Sequence, residues 1–277
     1  MSKKILEFRE GEPSTLFRFL QFAAKKRPEL LEIEHHPVYS EALLKGADAA
    51  LFSFEQARAL YPSLQVLPAQ VRMLECFDLS MPEGDKWYPR LLLYDALRKV
   101  LVEEARDLDI RMPAFIVGEG EYLRTAAAVC TELGFREIYL MGENITQLHR
   151  EARILSRGNL GIKFIVLAVE ELTIQAISAS LIINTGQLPP DSELLTDLSY
   201  FNFMTNGGYA FDCHLGNLQS ELMDEAKQAE LRALFPKNML RALVEIVFEK
   251  LKQSELVNTS ELQGWIDQFQ AENSSSV

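Results

Sequence analysis

The sequence contains no C-x-x-C pair, and its three cysteines, Cys76, Cys130 and Cys213, are widely spaced and odd in number. That argues against a zinc knuckle and against a disulfide framework. No apolar run approaches the ~18 residues of a transmembrane helix, and the first residues lack the apolar core of a secretory signal. The default expectation is a bacterial-type cytosolic protein. Positive charge is scarce: 28 Lys and Arg stand against 40 Asp and Glu, a formal net charge of -12. Nonspecific binding to nucleic acid or to an anionic membrane is therefore not expected. Internal repeats and low-complexity linkers are missing too. What is present is an ordinary globular composition over 277 residues, 48% hydrophobic and 25% charged, enough for a substantial core and one or two domains.

The hydrophobic pattern predicts strands at 4–9, 30–34 and 47–53, with a helix after Ser14 whose apolar side carries Leu16, Phe17, Phe19, Leu20 and Ala23. A short helix is expected at 38–44, and another ends near Tyr61 and Pro62. Residues 71–79 and 87–94 flank the turn residues Pro82, Glu83, Gly84 and Asp85, which predicts a hairpin. From Asp95 the pattern changes. After a helix at 95–108, strands near 114–117, 137–141, 163–167 and 180–184 alternate with helices near 122–133, 146–156 and 171–178. That alternation implies a parallel sheet with right-handed crossovers. Short strands near 200–204 and 208–212 are expected around a tight turn at Asn206, Gly207 and Gly208. Helices near 218–234, 237–252 and 259–271 close the chain. The last carries Leu262, Trp265, Ile266 and Phe269 on one face, with Trp265 and Phe269 in the core.

The most informative stretch is Phe115-Ile-Val-Gly118-Glu-Gly120-Glu-Tyr-Leu-Arg124, followed by a helical segment and then Glu137-Ile-Tyr-Leu-Met-Gly-Glu143-Asn144. An apolar strand runs into a Gly-x-Gly turn and a helix, and a second strand ends on an acid. This is the layout of a βαβ dinucleotide-binding unit. Gly118 permits the tight turn and Gly120 lets backbone approach a pyrophosphate. Leu123 stands where a third glycine would allow close helix packing. Glu119 and Glu121 bring negative charge to the turn. A carboxylate ~5 Å from a phosphate at an effective dielectric of ~20 costs about 3 kcal/mol. Glu143 suits the acid that binds a ribose 2′-hydroxyl and would repel a 2′-phosphate. The preferred cofactor, if one binds, is NAD over NADP.

These segments, taken in order, resemble the shikimate dehydrogenases over nearly the whole chain. The turn from Gly118 to Arg124 resembles that family's G-A-G-G-A-A-R, with Arg124 in register. Residues 46–55 resemble G-x-N-V-T-x-P-x-K-E, and Tyr94-Asp95 falls where the family has N-T-D. Ile182-Ile-Asn184-Thr185 resembles I-I-N-A-T, and Phe211-Asp212 resembles a Y-D pair ahead of the last helices. The resemblance implies an α/β fold with an N-terminal α/β domain at 1–94, helices at 236–277 packing back on it, and a Rossmann-like domain at 95–235. It also implies cofactor contacts at Gly118, Gly120, Arg124, Glu143, Asn184 and Thr185.

The resemblance implies hydride transfer between NADP and shikimate, with a Lys–Asp pair handling the proton. Only Asp95 has a family counterpart here, and the lysine position reads Phe54. The N-terminal serine motif that holds the shikimate carboxylate is missing around Ser14. Glu143 replaces the NADP-reading arginine, and Leu243 stands at the family's late substrate glutamine. Loss at all these points together favours a protein that has left the family's dehydrogenase reaction and serves as a binding or scaffold module. An NAD-dependent oxidoreductase acting on another hydroxy acid is the alternative, and a small-ligand sensor is the third. A protein partner, a second copy of the chain in a homodimer, or a small ligand in the cleft between domains would be the occupant. Asp212, Cys213 and His214 are read as non-catalytic, because neighbours on a strand face opposite ways. His35 and His36 are expected at the surface. No metal site is expected. The acidic run from Glu221 to Glu230 is read as a solvated helix face, with a partner surface as the alternative.

Overall fold

The computed structural model describes residues 2–168, 171, 177–189, 192–255 and 257–274. The chain divides into two compact units, Met1–Ala96 with Leu240–Val277, and Leu97–Met239. The fold is α/β: a mixed five-stranded sheet in the first unit and a six-stranded parallel, Rossmann-like sheet in the second.

The first unit opens with β1 (Lys3–Phe8), α1 (Thr15–Lys26), β2 (Leu31–His36), β3 (Ala49–Phe52) and α2 (Phe54–Leu60). A short α3 (Ala69–Leu74) and the hairpin of β4 (Leu79–Glu83) and β5 (Lys86–Arg90) follow. The sheet order is β2-β1-β3-β4-β5. The first three strands are parallel, and β4 and β5 run antiparallel. Ser14 caps α1 as expected, its Oγ accepting from Phe17 N at 3.1 Å. The helix buries Leu16, Phe17, Phe19, Leu20, Phe22 and Ala23. The C-terminal α10 (Thr259–Ser274) packs on that layer, with the Phe269 ring 5.4 Å from Phe19 and 5.8 Å from Phe22.

The hairpin is shorter than its apolar flanks suggested. Residues 69–74 form α3, and residues 92–94 open α4 (Leu92–Glu104) instead of extending β5. The reason lies upstream. Asp78 accepts hydrogen bonds from Leu92 N at 2.6 Å and Leu93 N at 2.7 Å. Two donors that a helix start leaves unmatched are satisfied by one carboxylate.

The second unit contains β6 (Ala114–Val117), α5 (Gly120–Leu133), β7 (Glu137–Met141), α6 (Ile145–Gly158), β8 (Lys163–Leu167) and β9 (Ala179–Asn184). Next come α7 (Glu193–Ser199), β10 (Met204–Asp212), α8 (Glu221–Gln228) and β11 (Arg232–Leu234). The helix α9 (Pro236–Lys250) follows. All five strand pairings are parallel, in the order β11-β10-β9-β6-β7-β8. Strands covered on both faces become continuous apolar runs, as β6 and β9 show by burying every residue. Phe115 anchors the core, its ring 4.9 Å from Tyr139 and 5.4 Å from Phe203.

Three features differ from expectation. Residues 204–212 form one strand with an irregular register between Met204 and Tyr209, not two strands around a turn; Gly207, at φ +68°, absorbs the distortion. The helix expected at 218–234 stops at Gln228 because Glu230 turns left-handed at φ +58°, and residues 232–234 become β11. The helix α7 was not anticipated. The helix expected at 171–178 falls mostly outside the described residues.

Candidate functional site

In the second unit, successive strands lead away from β6 through β7 to β8 on one side and from β9 through β10 to β11 on the other. The direction of winding reverses between β6 and β9. Open α/β sheets bind ligands at the carboxyl ends of the strands beside such a reversal. The chain leaves β6 there through Gly118, at φ +132°, and Gly120, at φ +62°, directly into α5.

The turn is set by packing as much as by backbone freedom. A Cβ on Gly118 would stand 2.1 Å from Thr185 Oγ1, just after β9. A Cβ on Gly142, just after β7, would stand 2.6 Å from the carbonyl oxygen of Gly118. Gly118 N donates to Met141 O at 2.9 Å, and Thr185 donates to Val117 O through both its N and its Oγ1, each at 2.8 Å. Three strand ends are thereby drawn together.

The acids near the turn point away from the amino end of α5. Glu119 Oε1 accepts from Asn144 N at 3.1 Å, at the start of α6. Glu121 turns to Arg124, with 3.8 Å between Oε1 and Nη2. Arg124 is 4% exposed and also donates to Glu151 Oε2 at 2.5 Å, tying α5 to α6. Burial raises the Glu151 carboxyl above its ordinary range, against the lowering pull of Arg124. The side chain of Glu119, the N-cap residue of α5, makes no capping hydrogen bond. Leu123 is fully buried. Glu143 is exposed immediately after β7.

Of the residues assigned to the cofactor from sequence, Gly118, Gly120, Asn184 and Thr185 lie together at the reversal, with Glu143 one strand further along. Arg124 is drawn aside into its carboxylate cage. Asn184 is committed to the fold. Its Nδ2 donates to Gly186 O at 2.8 Å and to Asp212 Oδ1 at 3.0 Å, and its Oδ1 accepts from Gly186 N at 3.3 Å. Asp212 also accepts from His214 N at 3.1 Å. Burial raises the Asp212 carboxyl, partly offset by the Ser220 hydroxyl. Cys213 is buried and donates to Asn184 O at 3.2 Å, and burial raises its thiol well above the ordinary range. That is a structural thiol, not a nucleophile.

The first unit has its own set of polar groups. Phe54 begins α2 and is 9% exposed. Asp95 pairs with Lys250, Nζ to Oδ2 2.8 Å. Asp78, partly buried, has its carboxyl pushed up to about 7, chiefly by burial. The ends of β1, β2 and β3 carry a cluster of rings: Phe8 lies 5.8 Å from His36, 5.2 Å from Tyr39 and 5.3 Å from Phe52, which in turn lies 5.2 Å from Phe77. His35 and His36, expected at the surface, are half-buried. His36 stacks on Phe8, and His35 Nε2 lies 3.9 Å from the buried Glu7, whose carboxyl is raised by burial. Among the described residues no group of three or more His, Cys, Asp or Glu could hold a metal ion.

Asp78, Gly142 and Lys250 went unrecognised in the sequence. Asp78 left a signal, an acid within the apolar run Cys76-Phe77-Asp78-Leu79. Gly142, directly after a strand, left a weaker one. Lys250 left none.

Comparison with solved structures places this architecture. The chain superposes on quinate dehydrogenase from Corynebacterium glutamicum, solved in complex with NAD, with a TM-score of 0.77, covering 98% of this chain and 99% of that one at 11% identity. The fold is that of the shikimate dehydrogenases. Shikimate 5-dehydrogenase from Thermus thermophilus, in complex with NADP(H) and shikimate, matches with a TM-score of 0.71 over 97% of this chain and 100% of that chain, at 14% identity. A 5-ketofructose reductase from Gluconobacter matches at 0.75 over 97% and 99%, with 12% identity. No protein-family model matches the sequence, and no curated protein matches it. What is shared at these identities is the fold. No helix among the described residues is long and apolar enough to cross a membrane.

Proposed function

We propose that this chain is an NAD-binding protein of shikimate dehydrogenase fold that does not oxidise shikimate. The observation that carries the reading is the direction of two carboxylates. Glu119 is held at Asn144 N and does not cap α5, and Glu121 faces Arg124. The charge that argued against a pyrophosphate is thus aimed elsewhere. The residues present fit the dinucleotide. Backbone N–H groups at the start of α5 would receive the pyrophosphate, with Gly118 and Gly120 allowing close approach. Glu143 would accept from a ribose 2′-hydroxyl. When bound, NAD supplies hydride acceptance. Phe54, which the sequence resemblance aligns with the family's proton-handling lysine, supports the loss of shikimate oxidation.

The test is titration calorimetry with NAD and then NADP, followed by oxidation assays with shikimate and quinate. Micromolar NAD binding, weaker NADP binding and no turnover are expected. Turnover above ~1 s⁻¹, inside the ordinary enzyme range, would overturn the non-catalytic half. No heat with either nucleotide, in a protein that melts cooperatively, would overturn the binding half.

One observation favours a second reading, an NAD-dependent oxidoreductase acting on a different hydroxy acid. Asp95 does carry a lysine partner, Lys250, brought by α9. If a panel of hydroxy acids yields turnover, Lys250→Met is expected to abolish it. Activity surviving that change would remove the lysine from this role.

A further inference from the structure

We propose that Glu119, from the glycine turn, is a specificity-determining residue that excludes a 2′-phosphate from the ribose position beside Glu143. The inference rests on the NAD reading above and adds to it a second acidic guard from a different loop. Glu119 lies 24 residues before Glu143 in sequence, yet its carboxylate meets the next residue, accepting from Asn144 N at 3.1 Å. Asn144 is the N-cap of the 14-residue α6, with its own Oδ1 accepting from Gln147 N at 3.0 Å. The start of such a helix attracts anions through its unmatched N–H groups and its dipole. Here the protein's own carboxylate takes that place.

The path of the side chain is fixed by a glycine. Glu119 Cγ lies 3.5 Å from the point where a Cβ on Gly142 would stand, so the chain of Glu119 runs along the segment from Gly142 to Asn144. Two carboxylates from two turns therefore border the end of β7, and Glu143 is exposed there. A ribose 2′-hydroxyl can donate to a carboxylate. A 2′-phosphate has no proton to donate near neutral pH and brings about two negative charges, which both acids repel. It would also have to compete with Glu119 for the amino end of α6.

The test compares the full-length wild type with Glu119→Gln, Glu143→Gln and the double variant, titrating each with NAD and with NADP at low and at physiological salt. Glutamine at 119 keeps an oxygen acceptor for Asn144 N and removes only the charge. Melting curves establish that each variant is folded. Glu119→Gln is expected to strengthen NADP binding tenfold or more while changing NAD binding less than threefold. The double variant is expected to bind NADP more tightly than either single variant. The wild-type preference for NAD should shrink with salt, since exposed charges are screened over ~8–10 Å. If wild type binds NAD and Glu119→Gln leaves the NADP to NAD ratio unchanged, the role of Glu119 is refuted and the NAD reading stands. If neither the wild type nor any variant binds NAD, both are refuted.

Discussion

Replacing Gly118 with alanine tests the packing that forms the turn. The new Cβ would stand 2.1 Å from Thr185 Oγ1 and 3.1 Å from Gly186 N, on a backbone at φ +132°. An L-residue rarely adopts that conformation, at a cost of about 1–3 kcal/mol. Thr185 would have to move, which breaks its buried bond to Val117 O, a loss of about 0.5–1.5 kcal/mol. Overpacking of a tight contact adds about 1–3 kcal/mol. These effects share one displacement and do not simply sum, so the expected destabilisation is about 2–5 kcal/mol. Both tryptophans, Trp87 and Trp265, belong to the first unit, so their fluorescence is a poor reporter. Hydrogen exchange at the amides of β6 and α5 reads the second unit directly. A double-mutant cycle sharpens the claim. Thr185→Ala removes the clashing oxygen, so the pair should be less destabilised than the sum of the singles by at least ~1 kcal/mol, a coupling expected of residues in contact. A loss below ~1 kcal/mol for Gly118→Ala, or strict additivity with Thr185→Ala, would refute the argument.

Three further outcomes are expected. Arg124→Met strands the buried Glu151 carboxylate and should destabilise the second unit by about 3–5 kcal/mol, whereas Arg124→Met with Glu151→Leu should recover most of the loss, read by hydrogen exchange. The Asp78 carboxyl is pushed from its ordinary 3.8 up to about 7, so the folded first unit holds a proton that the unfolded chain releases. The stability contributed by this group is full below pH ~4 and is lost as pH rises towards ~7. Asp78→Asn should flatten that slope in urea titrations followed by tryptophan fluorescence; an unchanged slope would count against the assignment. Cys76, Cys130 and Cys213 are all buried, so a thiol reagent should label the native protein slowly and the unfolded protein at three sites, and rapid native labelling of Cys213 would contradict its bond to Asn184.

Strands β6 to β9 of the second unit were legible because they are short apolar runs punctuated by glycine, a pattern that depends on neighbours in sequence. Where the deciding partner was distant, the sequence misled. Leu91, Leu92, Leu93 and Tyr94 suit a strand or a helix equally. The choice is made by Asp78, 14 residues before Leu92, whose carboxylate receives the first helical N–H groups. The acids of the glycine turn show the same limit. Their positions were evident, but their directions depend on Asn144, 25 residues after Glu119, and on an Arg124 anchored to a glutamate 27 residues away. Lys250 meets Asp95 across 155 residues of chain, a contact between helices that local pattern does not encode.

The crowding around Gly118 and Gly142 also bears on the meaning of the glycine signature. A side chain at either position collides with another strand's turn, whatever does or does not bind there. The fold itself does not depend on Glu143, which is exposed, whereas a side chain at either of these two glycines disrupts it whether or not a ligand binds. The glycine signature is therefore a requirement of packing in this architecture, one that holds independently of any nucleotide.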